Sequence, residues 1–128
     1  MSDPGRSKAT VLIIDDSTLV LEFLTVVLED EGWDVHTRTT PFLDAKDIAA
    51  IAPNVVLLDL GIPGVTDADL PFVVSTLRKH GATKVLFHSG RGAGELSALA
   101  DLAGADGYVC KAAGDDDSLI ERLESYKP

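Results

Sequence analysis

The segment Val11-Leu12-Ile13-Ile14-Asp15-Asp16-Ser17 is a short apolar run that stops on two acids. Its apolar residues are consecutive rather than alternating, which suits a strand covered on both faces. Four further β-branched or leucine-rich runs follow, so the strand candidates are 10–14, 34–38, 55–58, 84–88 and 107–109. Between them lie longer stretches of helical period, and a fifth such stretch closes the chain. Strands alternating with helices predict a doubly wound α/β domain: five parallel strands with helices on both faces.

The helical stretches carry their own signals. The first, about 18–31, places Val20, Phe23, Leu24, Val27 and Leu28 on one face. The second opens with Thr40 as N-cap, Pro41 at the first helical position and Asp44 completing a box-like pair; Ala45, Ile48 and Ala49 form a thin inward face. Leu70, Val73, Val74 and Leu77 define the third. Pro71 must lie in its first turn, since deeper it would cost ~3 kcal/mol, so this helix starts near 67–69. The fourth uses Leu96, Leu99, Ala100 and Ala103, and the fifth Leu119, Ile120, Leu123 and Tyr126. Gly32, Gly81 and Gly104 stand where left-handed caps would end helices one, three and four.

The chain has 128 residues, 45% hydrophobic and 25% charged, the balance of one soluble domain with a core of its own. No apolar run approaches the ~20 residues needed to cross a bilayer, and no membrane insertion is expected. The first ten residues hold no apolar secretory segment. The single Cys110 forms no internal bridge, which fits a cytoplasmic setting. Residues 1–8 read as a flexible tail and 9–128 as the domain, with Pro128 leaving no room for an output domain within this sequence. Eleven Lys and Arg against 21 Asp and Glu give a net charge of -10. That argues against nucleic-acid binding by this chain itself, which needs clustered cations.

In open α/β sheets, ligands bind at the carboxyl ends of the strands. Strand one ends in Asp15 and Asp16, strand three in Asp59 and strand four in Ser89, while strand five runs into Lys111. Three acids, a hydroxyl and an ammonium are thus expected on one rim. Two carboxylates ~4 Å apart repel by about 4 kcal/mol at an effective dielectric of 20. A hard divalent cation relieves this, and Mg²⁺ accepts one or two carboxylates together with a phosphate.

Asp15-Asp16 after VLII, Asp59 after VVLL, Ser89 after VLFH and Lys111 after YVC also carry a resemblance. In kind, order and spacing they resemble the response-regulator receiver domain, the CheY-like family of two-component signalling, from about Lys8 to the C-terminus. The resemblance implies a flavodoxin-like (βα)5 fold. It implies that Asp59 accepts a phosphoryl group from a phosphohistidine of a sensor histidine kinase or phosphotransfer protein. It further implies that Asp16, Asp59 and the Gly61 backbone carbonyl bind Mg²⁺, with Asp15 acting through water. Lys111 and Ser89 would contact the phosphoryl oxygens. Ser89 and Tyr108 would form a switch that reshapes the face of helix four, strand five and helix five for a downstream protein. No turnover of a separate substrate is implied.

Some positions depart from the family pattern. Ala112 stands where proline usually follows the lysine, so a trans peptide is expected there. Gly61 places no side chain over the acid, which leaves an acyl phosphate open to water. Arg91 is expected to be solvated rather than clamped on phosphoryl oxygens. The TDAD stretch at 66–69 lacks the usual Asp-Gly and reads as a local change of cap. Gly90, Gly92 and Gly94 match no dinucleotide fingerprint and read as a mobile loop. Leu19, Val26 and Phe72 fall outside the inward stripes, and Leu19 suits a docking kinase helix. Two other functions compete. A pseudo-receiver would use the same fold as a constitutive interaction module, without phosphoryl chemistry. A phosphatase of the haloacid dehalogenase type wants a second acid two residues after its nucleophile, where this chain has Gly61.

Overall fold

A computed structural model describes residues 9–111 and 116–127. The expected tail at 1–8, the Lys111–Ala112 peptide and Pro128 lie outside the described residues. Five strands, β1 (Thr10–Ile14), β2 (Asp34–Arg38), β3 (Val55–Asp59), β4 (Lys84–Ser89) and β5 (Gly107–Cys110), form one parallel sheet in the order β2-β1-β3-β4-β5. They alternate with α1 (Thr18–Asp30), α2 (Ala45–Ile51), α3 (Leu70–Lys79), α4 (Ala93–Ala103) and α5 (Asp116–Glu124). A 3₁₀ turn at Asp67–Asp69 leads into α3. This is the doubly wound, flavodoxin-like architecture.

Residue alternation along the strands divides the core in two. Val11, Ile13, Val55, Leu57, Leu86 and Val109 face α1 and α5. Leu12, Ile14, Val56, Leu58, Val85 and Phe87 face α2, α3 and α4. Every residue of β3 is buried, as a central strand covered on both sides must be. At the edge, β2 carries Asp34, His36, Thr37 and Arg38 and stays half-exposed beyond its exposed first residue.

Two helices differ from their sequence reading. In α1 the buried residues are Leu21, Leu24 and Leu28; Phe23 is exposed and Val20 and Val27 are only partly covered. The helix is rotated from the expected stripe. With Leu19, Phe23 and Val26 outside and Leu21 inside, apolar side chains surround it, so periodicity alone did not single out one face. In α2 the start is at Ala45 with Asp44 at the cap position, so Thr40 and Pro41 belong to the preceding turn, where the Thr40 hydroxyl accepts from Phe42 N–H. Ile48 and Ile51 are its buried residues, while Ala45 and Ala49 are exposed.

The remaining boundaries follow the sequence closely. Leu70, Val73, Val74 and Leu77 are all buried, with Pro71 in the first turn of α3. Gly32, Gly81 and Gly104 all have positive φ, and Gly104 is a left-handed cap of α4. The change of cap at 66–69 takes a definite form: Thr66 N–H and hydroxyl both donate to Asp69 Oδ2, at 2.8 and 3.0 Å. No helix among the described residues is long and apolar enough to cross a membrane.

Candidate functional site

The strand order reverses between β1 and β3, and at this switch point the helices leave the sheet to opposite sides and open a crevice. Asp15 and Asp16 follow β1, and Asp59 is the last residue of β3. Asp15, Asp16 and Asp59 each offer a carboxylate oxygen, and these oxygens lie within 4.8 Å of one another. Asp15 is 1% exposed and Asp59 7%, whereas Asp16 opens to solvent.

Lys111 reaches this cluster from the far side of the sheet. Its backbone N–H donates to Ser89 O at 2.7 Å, which continues the β4–β5 ladder and fixes where the side chain departs. Its ammonium donates to Asp15 Oδ2 at 2.7 Å and to Asp59 Oδ1 at 2.9 Å. Burial alone would lower the Lys111 pKa, but its hydrogen bonds to the two carboxylates outweigh burial and raise it above the ordinary 10.5. The amine is therefore charged, and its stabilising contribution is complete below pH 10.5, disappearing only as pH rises through the higher folded value. Three acids face one ammonium here, an all-oxygen donor set that suits a hard divalent cation.

The caps keep these acids available. Ser17 is the N-cap of α1 and accepts from Val20 N–H at 3.3 Å, so neither aspartate serves that purpose. Asp15 Oδ1 instead accepts from Ser17 N–H at 2.9 Å, which fixes its carboxylate plane while Oδ2 meets Lys111. A β-carbon placed on Gly61 would lie 3.5 Å from Asp59 Oδ2, so this glycine passes directly beside the acid.

Ser89 is buried at the end of β4, and its hydroxyl accepts from Arg91 N–H at 3.2 Å. The N-cap position of α4 falls to Gly92 rather than Ser89. Tyr108 is half-buried, packed against the α2/α3/α4 side of the core, and borders a cleft of about 460 Å³ between β5 and α5. Arg91 differs from its expected solvation: both its terminal nitrogens donate to Asp67 at 2.9 Å, and one also donates to Glu95 at 3.0 Å. An acid 24 residues away in sequence had no local signal to announce it.

The residue that sequence reasoning missed is His88. It pairs across the ladder with Asp59 and is 7% exposed. The signal was a polar residue inside the run KVLFHS, where strand alternation sets it on the same sheet face as Leu86. Burial chiefly, and then the Lys111 ammonium, lower its pKa from 6.5 to about 4 against the opposing pull of Asp15. The unfolded chain thus takes up this proton first, so stability is full above about pH 6.5 and declines as pH falls toward 4. Between pH 7.5 and 4.5 the loss assigned to His88 is about 2–3 kcal/mol. His88→Leu should flatten that part of the profile in urea unfolding at the two pH values. An acid loss as steep as that of the parent chain would place its origin in other groups.

Buried acids from two strands meeting a lysine from a third, at the switch point of a five-stranded doubly wound sheet, define an α/β domain with an acidic rim pocket. The sequence matches the response regulator receiver domain over residues 11–124, and the chain belongs to that family. It is 36% identical over 109 residues to the transcriptional regulatory protein KdpE of Mycobacterium tuberculosis, covering 85% of this chain and 47% of that protein. It is 34% identical over 103 residues to the Bordetella pertussis virulence factors putative positive transcription regulator BvgA, covering 79% and 48%. The chain thus spans about half the length of the curated relatives it matches. Among solved structures, Vibrio cholerae chemotaxis protein CheY4 superposes with a TM-score of 0.76 at 21% identity, covering 94% of this chain and 99% of that one. A CheY-like receiver domain protein from Methanospirillum hungatei gives 0.73 at 28% identity, covering 94% of both chains.

Proposed function

We propose that this chain is a phosphorylatable receiver, taking a phosphoryl group on Asp59 from a phosphohistidine of a sensor histidine kinase or phosphotransfer protein. The observation that carries this reading is the Lys111 ammonium held between Asp15 and Asp59, with Asp16 beside them. An Asp59 carboxylate oxygen attacks phosphorus, the phosphorus–nitrogen bond breaks, and its electron pair leaves with the imidazole. An ionised carboxylate needs no general base for this. Lys111 pairs with the incoming phosphoryl oxygens, and Ser89 donates its hydroxyl to one of them. Asp16, Asp59 and the Gly61 carbonyl would hold Mg²⁺, with Asp15 acting through water. When bound, the metal supplies positive charge to a loose transition state in which catalysis is mostly positioning.

The output is a change in the face formed by α4, β5 and α5, as Ser89 moves and the Tyr108 ring turns inward, read by a downstream protein. Leu19, Phe23 and Val26 are all exposed on α1, with Leu19 in its first turn next to the acidic rim, and suit the docking of a kinase or phosphotransfer helix. The proposed setting is the cytoplasm, with no separate substrate turned over and no nucleic acid bound by this chain itself.

The direct test is incubation with acetyl phosphate and Mg²⁺, read by intact mass. One added phosphoryl group supports the reading. No adduct, together with no response to beryllofluoride, would favour a phosphorylation-independent interaction module. The metal assignment has its own measurement. Asp16→Ala should weaken Mg²⁺ binding about tenfold or more in a calorimetric titration, since a hard cation loses a charged ligand. Unchanged affinity would contradict the assignment.

A further inference from the structure

Between Ser89 and α4 the chain runs Gly90-Arg91-Gly92, and Gly94 follows in the first turn of the helix. A β-carbon on any of these three glycines would meet nothing within 4 Å, so the connection lies open rather than packed onto the domain. It is fastened instead through Arg91, which is half-buried. The Arg91 backbone N–H donates to the Ser89 hydroxyl, and its guanidinium forms a two-pronged bridge to Asp67. Asp67 belongs to the 3₁₀ turn before α3, which Thr66 and Asp69 brace separately. Arg91 therefore ties the loop after β4 to the connection after β3, while its own amide holds the hydroxyl proposed to move. The contact with Glu95 stays within the loop and the first turn of α4 and crosses nothing.

We propose that the Arg91–Asp67 bridge is a latch that holds Ser89 in its resting position, making Arg91 a positioning residue that opposes the phosphoryl-bound arrangement. This rests on the phosphoryl-accepting reading of the site. Two glycines flanking Arg91 leave the backbone free to swing once the bridge opens. An ion pair with one acid half-exposed is worth little in isolation, so the latch biases an equilibrium rather than locking it. A bias of this size changes the apparent affinity for an activating ligand by about threefold to fivefold. Charge screening weakens it as ionic strength rises.

The test compares the parent chain with Asp67→Asn, Arg91→Gln, Arg91→Lys and Glu95→Gln. Two readouts are taken: beryllofluoride affinity in the presence of Mg²⁺, and amide exchange across residues 90–95 in the resting protein. Asp67→Asn and Arg91→Gln should bind beryllofluoride about three- to fivefold more tightly and exchange faster across the loop. Arg91→Lys should fall between them and the parent, and Glu95→Gln should remain within twofold of it. The gap between parent and Asp67→Asn should narrow at 0.5 M salt. Unchanged or weaker beryllofluoride affinity in Asp67→Asn overturns the latch, and so does unchanged loop exchange. If the parent chain itself takes neither phosphoryl nor beryllofluoride, the phosphoryl-accepting reading fails. Faster exchange in Asp67→Asn then still upholds the fastening of the loop.

Discussion

Asp59→Asn should abolish phosphoryl uptake from acetyl phosphate, leaving the intact mass unchanged where the parent chain gains one phosphoryl group. The amide keeps the shape of the carboxylate but has no ionised oxygen to attack phosphorus. Its oxygen can still accept from Lys111, and Asp15 remains to hold the ammonium in place, so the pocket stays assembled. The variant also removes one of three mutually repelling acids and should be at least as stable as the parent without divalent cations. Loss of uptake in a folded protein thereby separates a missing nucleophile from a damaged fold. An adduct of undiminished yield would move the nucleophile away from Asp59, with Asp15 and Asp16 the next positions to substitute.

Lys111→Met should have the largest effect on stability. The ammonium is the cation that hydrogen-bonds both Asp15 and Asp59, and those acids are almost fully buried. Methionine fills much of the same space but leaves two charges facing each other out of water. Removing one partner of a buried ionic pair costs about 3–5 kcal/mol. For a domain of this length the midpoint of thermal unfolding would fall by roughly 10 °C or more. Millimolar Mg²⁺ should restore much of the loss, because a dication can take over the neutralising role at the same oxygens. Thermal unfolding with and without Mg²⁺ reads both effects. An unchanged midpoint without Mg²⁺ would mean the acids are compensated by something other than the lysine.

Much of this was legible in the sequence because the relevant signals are local. Apolar runs ending in Asp15-Asp16, Asp59 and Ser89 mark both a strand and its carboxyl end, and parallel topology then brings those ends to one rim. Lys111 was legible for the same reason, one residue beyond β5. What escaped was set by tertiary context. The turn of α1 about its axis depends on which side chains fit the sheet; Leu21 won over Phe23, a choice that a helix apolar on several faces does not advertise. Thr40-Pro41 is a sound start signal, yet α2 begins at Ala45. His88 was hidden because in a strand buried on both faces the polar residue interrupts no alternation. Arg91 found its acid through the fold rather than along the chain.

The ammonium of Lys111 and the carboxylate of Asp15 are separated by 96 positions in sequence, and they meet only when the first and last strands share one finished sheet. Nothing short of the nearly whole domain can form this contact; a sheet of β3, β4 and β5 alone pairs the ammonium with Asp59 but leaves Asp15 out. Whatever occupies the pocket consequently acts as a buckle: it draws on groups that follow the first and the last strand, and its binding free energy is added to the cooperative unfolding of all that lies between them.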